Sequence, residues 1–163
     1  MGDDGPADEL NRLAKPGANF GFPYCHADGW LDTEFKKPNP CDGVTRPVAL
    51  MGSHAAAMGV KFYTGKMFPA EYQNTMFIAR KGSWNRSKPT GFDVVTVRAS
   101  ADGKQAKVAP FLTGFSPSQL RTVFYVVMNE KRVVVQLQDS GRTQHGFDMR
   151  AKRAAGCDAE CRP

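Results

Sequence analysis

The sequence predicts an all-β fold. Short runs of β-branched and apolar residues recur from Val60 onward, and glycine, proline and Asp-Gly turn signals separate them. Glycine and proline supply 16 and 11 of the 163 residues, which disfavours a helical bundle. Hydrophobic residues make up 41% and charged residues 23%, as in a folded globular chain rather than a disordered one. This pattern of short strands is typical of a sandwich, a barrel or a propeller.

The strand candidates, in chain order, are residues 60–63, 76–79, 94–98, 107–111, 123–127 and 133–137. The pair Asp102–Gly103 predicts a tight turn between the third and the fourth candidate, because both residue types accept turn conformations. Local propensity alone favours a short helical turn over residues 8–11 and a short helix over residues 53–58. The last stretch, residues 140–163, shows no alternation and is basic, so it is predicted to be a poorly ordered tail.

The formal net charge is +6, but the basic residues are scattered along the chain. Nucleic-acid binding usually requires a stripe or cluster of Lys and Arg, so no nucleic-acid partner is predicted. No apolar run approaches the roughly 18 residues that a membrane-spanning helix needs, so no membrane span is predicted either.

The first two of the four cysteines, Cys25 and Cys41, bracket a loop rich in Gly, Pro and Asp. A disulfide between them would indicate an oxidising compartment, whereas free thiols would suit the cytosol. The first residues are acidic and turn-like and do not read as a secretory leader. The sequence therefore leaves two alternatives open: a cytosolic protein with free thiols, or a chain whose true N-terminus is missing.

The basic segment, residues 80–88, contains four cations together with Trp84 and Asn85, and it connects two strand candidates. Loops between rigid strands often carry binding residues. Its cations suit carboxylates and its aromatic ring suits a planar ligand. The alternative, which composition alone favours, is a solvated loop with Trp84 in the core. Acidic residues near the N-terminus offer oxygen donors for a hard cation, although acidic termini are more often simply solvated.

Several motifs occur together in an order that resembles a known family. They are the segments 2–4, 8–11, 20–26, 47–50, 54–56, 62–65, 68–72, 77–79, 82–87 and 111–114. From Gly2 to Gly114 the chain resembles the C-terminal half of bacterial glucose/sorbosone dehydrogenases, particularly the sorbosone dehydrogenase-like branch.

This resemblance implies a six-bladed β-propeller in a periplasmic or secreted protein. It also implies oxidation of an aldose or sorbosone-like sugar by hydride transfer to pyrroloquinoline quinone (PQQ) with Ca²⁺. At about 40–45 residues per blade, the chain supplies three to four blades. We therefore expect an incomplete ring over residues 1–139, whose open edge favours self-association.

The resemblance also assigns roles to particular residues. The main-chain carbonyls of Gly2 and Asp3 are implied to hold Ca²⁺, and Arg86, Lys81 and Arg121 are the candidates for contacts to the cofactor. It favours the disulfide between the first two cysteines.

The general-base His of the family lies in earlier blades and has no counterpart here. No catalytic residue is therefore predicted, and we expect the isolated chain to be inactive. The alternative is a non-catalytic propeller or carbohydrate-binding module.

Overall fold

The computed structural model describes residues 2–83 and 85–115, and beyond them the backbone of three strands. The described chain is built of antiparallel strands and one short 3-10 helix, Ala70–Tyr72, which confirms the predicted all-β class. The strands are β1 Ala7–Leu10, β2 Cys25–His26, β3 Trp30–Leu31, β4 Ala49–Ser53, β5 Ala57–Phe62, β6 Met76–Arg80, β7 Asp93–Ala99, β8 Ala106–Leu112, β9 Val123–Met128, β10 Val133–Asp139 and β11 Arg142–Met149.

The largest sheet is a four-stranded meander in the order β5-β6-β7-β8. Its inner strands β6 and β7 are apolar at successive positions, and successive side chains point to opposite faces, so the sheet is buried on both sides. One face carries an aromatic core of Tyr63, Phe77, Ala79 and Val94, against which Phe68, Tyr72, Phe111, Leu112 and Phe115 pack. The other face carries Met76, Ile78, Val95 and Val97, together with Met51 from β4.

A two-stranded sheet, β1-β4, covers part of this second face. Leu10 of β1 packs on the core there, and the Ala106 N–H of β8 donates to the Val48 carbonyl next to β4. The hairpin β2-β3 follows β1 and is tied by a disulfide between Cys25 and Cys41. A three-stranded sheet, β9-β10-β11, completes the described strands, and β9 lies against β5 and β6.

The uncovered part of the second face lies on β5. Register pairs Val60 with Ile78 and Phe62 with Met76, so these side chains share the face of the buried core. Together with Met58 they form the β5 strip, and each of the three side chains is more than half exposed (53–58%).

Two local predictions are wrong. Residues 8–10 belong to β1 and do not form a helical turn, because pairing with β4 outweighs weak local propensity. Residues 53–58 are not helical: β4 ends there and β5 begins, with positive φ at His54 and Ala56 in between. Within the stretch predicted to be a tail, the backbone of β11 pairs with β10, and the order of the tail as a whole stays a prediction. Residues 150–163, and residues 129–131 between the last two strand candidates, lie outside the described residues.

The remaining strand predictions are confirmed, including the turn at Asp102–Gly103, where Gly103 has φ +66°. The four-stranded sheet has the form of one propeller blade, and the number of blades stays a prediction. No helix in the described ranges is long and apolar enough to cross a membrane.

Candidate functional site

Three segments that are far apart in sequence meet at one place. They are the N-terminal segment (residues 2–6), the His54 turn (residues 53–56) and the basic segment. His54 Nε2 lies 2.9 Å from the Gly2 carbonyl, and the Ser53 hydroxyl donates to the Asp4 carbonyl at 2.8 Å. The basic segment joins them through Arg86 and Ser87. The strands β4, β5 and β6 therefore bring all three segments to a common edge.

Arg86 is the centre of this cluster. Its Nη1 donates to the Asp3 carbonyl at 2.5 Å and to the Ser53 carbonyl at 3.4 Å. Its Nη2 donates to the Asp4 carboxylate at 3.1 Å. The Arg86 side chain is 20% exposed, whereas that of Asp4 is 91% exposed. The guanidinium is therefore held from the protein side by main-chain oxygens and from the solvent side by an exposed carboxylate.

Asp3 fixes the neighbouring residue of the basic segment. Its Oδ2 accepts the Ser87 N–H at 3.0 Å. Hydrogen bonds from the side chain and the backbone of Ser87, assisted by the positive charge of Arg86, lower the pKa of Asp3 below its usual value. Asp3 thus contacts both Arg86 and Ser87, one through its carbonyl and one through its carboxylate.

The base of the basic segment is rigidly anchored. Arg80, the last residue of β6, donates from Nε and Nη2 to the two carboxylate oxygens of Asp93, and from Nη1 to the Met51 carbonyl. The Lys81 and Gly82 N–H groups donate to the carbonyls of the His54 turn. Gly82 has φ +103°, and the Phe92 ring occupies the space that a β-carbon would need, so this position requires glycine.

The structure brings together three of the five residues predicted for the site: Gly2, Asp3 and Arg86. Lys81 lies at the other end of the same basic segment. Arg121, like Trp84, lies outside the described residues.

Asp4, Ser53 and Ser87 complete the cluster, and the sequence pointed to none of them as a partner of Arg86. The Asp-Asp pair was visible as a group of oxygen donors, but nothing local linked it to residues about 80 positions away.

The carbonyls of Gly2 and Asp3, for which the resemblance predicts a contact to Ca²⁺, face hydrogen-bond donors in this structure. The first accepts a hydrogen bond from His54 and the second from the Arg86 guanidinium. Ca²⁺ takes six to eight oxygen ligands and is repelled by an adjacent cation. In the ranges the structure describes, no three His, Cys, Asp or Glu side chains are placed to hold a metal ion. Ca²⁺ at these carbonyls stays a prediction from the resemblance.

Arg86 fits an anionic ligand better than Gly2 and Asp3 fit a metal. Its Nε is buried and has no hydrogen-bond partner among the described residues. A buried donor without an acceptor is costly, and Arg recognises carboxylates by offering two parallel N–H groups. The unpaired Nε and its neighbour Nη2 form the edge of the guanidinium that a ligand carboxylate would use, once the groups that cover Nε make room.

A second polar pair lies in the β2-β3 hairpin. His26 Nε2 lies 2.9 Å from Asp32 Oδ2, and both side chains are largely buried. Backbone hydrogen bonds from Phe35 and Glu34, together with the His26 side chain, lower the pKa of Asp32 to about 2. This pair stabilises the loop that the disulfide closes, and no described contact links it to Arg86.

Comparison with known proteins assigns the chain to a family. The TrAA12-like family matches residues 31–132. A calcium-bound structure of a family AA12 carbohydrate-active enzyme from Trichoderma reesei superposes with a TM-score of 0.66 over 82% of this chain and 40% of that chain. At 19% identity, that likeness shows a shared fold.

Curated proteins also match in sequence, among them these two. An uncharacterised protein of Borreliella burgdorferi is 36% identical over 71% of this chain and 31% of its own length. A pyrroloquinoline quinone-dependent pyranose dehydrogenase of Coprinopsis cinerea is 28% identical over 64% of this chain and 17% of its own length. The chain thus spans a third or less of the curated relatives it matches.

These matches define a relative of the quinone-dependent sugar oxidoreductases. The chain belongs to the TrAA12-like family. The predicted relationship to quinoprotein sugar dehydrogenases is confirmed at this level, and the narrower glucose/sorbosone branch stays a prediction.

Proposed function

We propose that this chain supplies the cofactor-binding part of a quinone-dependent sugar oxidoreductase, with Arg86 contacting a carboxylate of PQQ. The observation that carries the proposal is the Arg86 guanidinium, anchored by main-chain oxygens and left with a buried, unpaired Nε. The TrAA12-like family and the PQQ-dependent pyranose dehydrogenase relative support it. Lys81 is a second candidate for this contact, and Arg121 a third.

Bound PQQ would supply the acceptor for a hydride from the sugar. The residues of this chain bind and orient the cofactor: Arg86 donates to a carboxylate, Asp3 and Ser53 fix the guanidinium through their carbonyls, and the Arg80–Asp93 pair keeps the basic segment in place. The sugar substrate of the whole protein is proposed to be of the pyranose type, with an aldose or a sorbosone-like sugar as the narrower expectation.

Binding of PQQ to the purified chain, measured by isothermal titration calorimetry, tests this role. We expect Arg86→Ala to weaken binding about 10- to 100-fold, because a hydrogen bond to a charged group is worth about 1.5–3 kcal/mol. Arg86→Lys keeps the charge but loses the two-pronged contact, so its effect should be intermediate.

Arg46→Ala is the matched control, since Arg46 is an exposed arginine paired with Asp28. Equal binding by wild type and both Arg86 variants would reject the proposal. Thermal unfolding of each variant separates lost binding from lost folding. We also expect the isolated chain to oxidise no aldose in the presence of PQQ, because the resemblance places the general-base His in earlier blades of the propeller.

Two further proposals concern the environment of the protein. The disulfide supports a periplasmic or secreted location, because such bonds persist in oxidising compartments. The exposed β5 strip supports self-association with a second copy of the chain, since an apolar stripe on an edge strand favours association.

A further inference from the structure

We propose that Asp4 competes with the incoming ligand for Arg86. The Asp4 carboxylate occupies the part of the guanidinium that a ligand carboxylate needs, and so lowers the affinity of the site for anions. This inference rests on the proposed function, in which Arg86 binds a carboxylate of the cofactor. It adds a resident competitor to that site and predicts that removing the competitor tightens binding.

The hydrogen bonds of Arg86 divide its guanidinium into two parts. Nη1 is engaged by two main-chain carbonyls, those of Asp3 and Ser53. Nη2 contacts the Asp4 carboxylate, while Nε is buried and has no partner in the described part of the chain. A carboxylate that bridges Nη2 and Nε makes two parallel hydrogen bonds, the strongest arrangement for an arginine. Asp4 makes only one of the two.

The exposure of Asp4 makes it displaceable. Its side chain is 91% exposed, and among the described residues its carboxylate makes one hydrogen bond, the 3.1 Å bond to Arg86. An exposed ion pair of this kind contributes little, because solvent screens it and because the side chain loses conformational freedom. A ligand carboxylate that satisfies both Nη2 and Nε therefore displaces Asp4, which turns into solvent.

The adjacent aspartate has the opposite role. The Asp3 carboxylate accepts the Ser87 N–H, and its carbonyl accepts Nη1 of Arg86. Asp3 thus holds the basic segment in the geometry that binds a ligand, and no incoming anion needs to replace it. Neutralising two neighbouring carboxylates should therefore change ligand affinity in opposite directions, which a simple dependence on net charge would not produce.

Calorimetric titration of the full chain with PQQ, and with isophthalate as a small dicarboxylate that lacks the quinone, tests the competition. We expect Asp4→Asn to bind both probes about two- to fivefold more tightly at low salt, the range implied by one exposed ion pair. The gain should shrink at about 1 M salt, where such pairs are screened. Asp3→Asn should bind both probes more weakly than wild type.

Asp28→Asn is the control for charge, because it removes an exposed carboxylate that pairs with Arg46 instead of Arg86. Equal tightening by Asp28→Asn and Asp4→Asn would overturn the competition, as would weaker binding by Asp4→Asn. If the wild type binds and Asp4→Asn binds with the same affinity, the competition is rejected and the proposed function stands. If neither wild type nor Asp4→Asn binds either probe, the proposed function is rejected and the competition with it.

Discussion

Arg80 and Asp93 are the residues on which the geometry of the basic segment depends. Their side chains are 19% and 12% exposed, and they meet through two hydrogen bonds of 2.7 and 2.5 Å. Asp93 begins β7 and Arg80 ends β6, so the pair closes the two strands at the point where the basic segment leaves the sheet. Losing one partner leaves a charge with little water to solvate it.

We expect Asp93→Asn to lower the free energy of unfolding by about 2–4 kcal/mol, because it uncouples the Arg80 guanidinium from its counter-ion. Urea denaturation measures this change. Asp28→Asn, at an exposed pair, should change it by less than about 0.5 kcal/mol. Equal effects at the two positions would show that the buried pair contributes no more than a surface pair.

Asp32 gives the fold a dependence on pH. Hydrogen bonds from Phe35, His26 and Glu34 lower its pKa from 3.8 to about 2 in the folded chain. Because the folded pKa lies below the unfolded one, Asp32 stabilises the fold fully above about pH 4, and this contribution is lost as the pH falls towards 2.

The melting temperature of Asp32→Asn should therefore be lower than that of the wild type at pH 7, and the difference should shrink steadily as the pH falls from about 4 towards 2. Melting curves between pH 2 and pH 7 measure it, with Asp28→Asn as the exposed control. A constant difference between Asp32→Asn and wild type over this range would contradict the prediction.

Among the elements, the strands follow from the sequence and the connections between them do not. The β-branched run at Val94–Val97 and the apolar run at Met76–Ala79 are long enough to be recognised without their partners, and both form strands. Residues 53–58 have helical propensity but form a turn, because positive φ at His54 and Ala56 joins two strands whose pairing decides the local conformation.

The candidate site was predictable only in part, because it is also formed by contacts between segments that are distant in sequence. Resemblance selected Gly2, Asp3 and Arg86 individually, and the structure shows that they touch. No local pattern in the sequence encodes a contact between residues 83 positions apart. Nor does one show that Arg86 and His54 donate hydrogen bonds to the carbonyls of Asp3 and Gly2. The role of Asp4 follows from exposure and from the unpaired Nε, neither of which a sequence records.

The disulfide also connects parts of the chain that local sequence patterns do not link. Cys25 and Cys41 are 16 residues apart and close the loop that carries β3 and the His26–Asp32 pair. Closing a loop of this length lowers the entropy of the unfolded chain, which stabilises the fold by about 3 kcal/mol in the chain-entropy model. We expect the double variant Cys25→Ser/Cys41→Ser to lose free energy of unfolding of this order.

Denaturation of the wild type with and without reductant provides the comparison, and the reduced wild type should match the double variant. Added reductant should leave the double variant unchanged. A wild type that is insensitive to reductant would show that the loop is stabilised by its other contacts alone.

At the scale of the whole molecule, the second face of the four-stranded sheet, which carries Met76 and Ile78, is only partly covered. Sheet β1-β4 lies over β8 and the inner strands, and the β5 strip remains exposed beyond it. If a second copy covers this strip, the apparent mass should rise with protein concentration. Light scattering over a range of about 1–100 μM measures it.

Val60→Lys should shift the chain towards the monomer, because a charge on an exposed edge strand opposes association. Lys61→Gln is the control, since Lys61 lies on the opposite face of the same strand. A wild-type mass that is constant over the whole range would reject self-association.

The contact between Arg86 and Asp3 also sets an order of events. It closes a loop of 83 positions, and such a non-local contact carries a larger loop-closure cost than the pairing of neighbouring strands. We therefore expect the anion site at Arg86 to be completed late in folding, so that a ligand acts on the folded chain rather than on the first steps of folding.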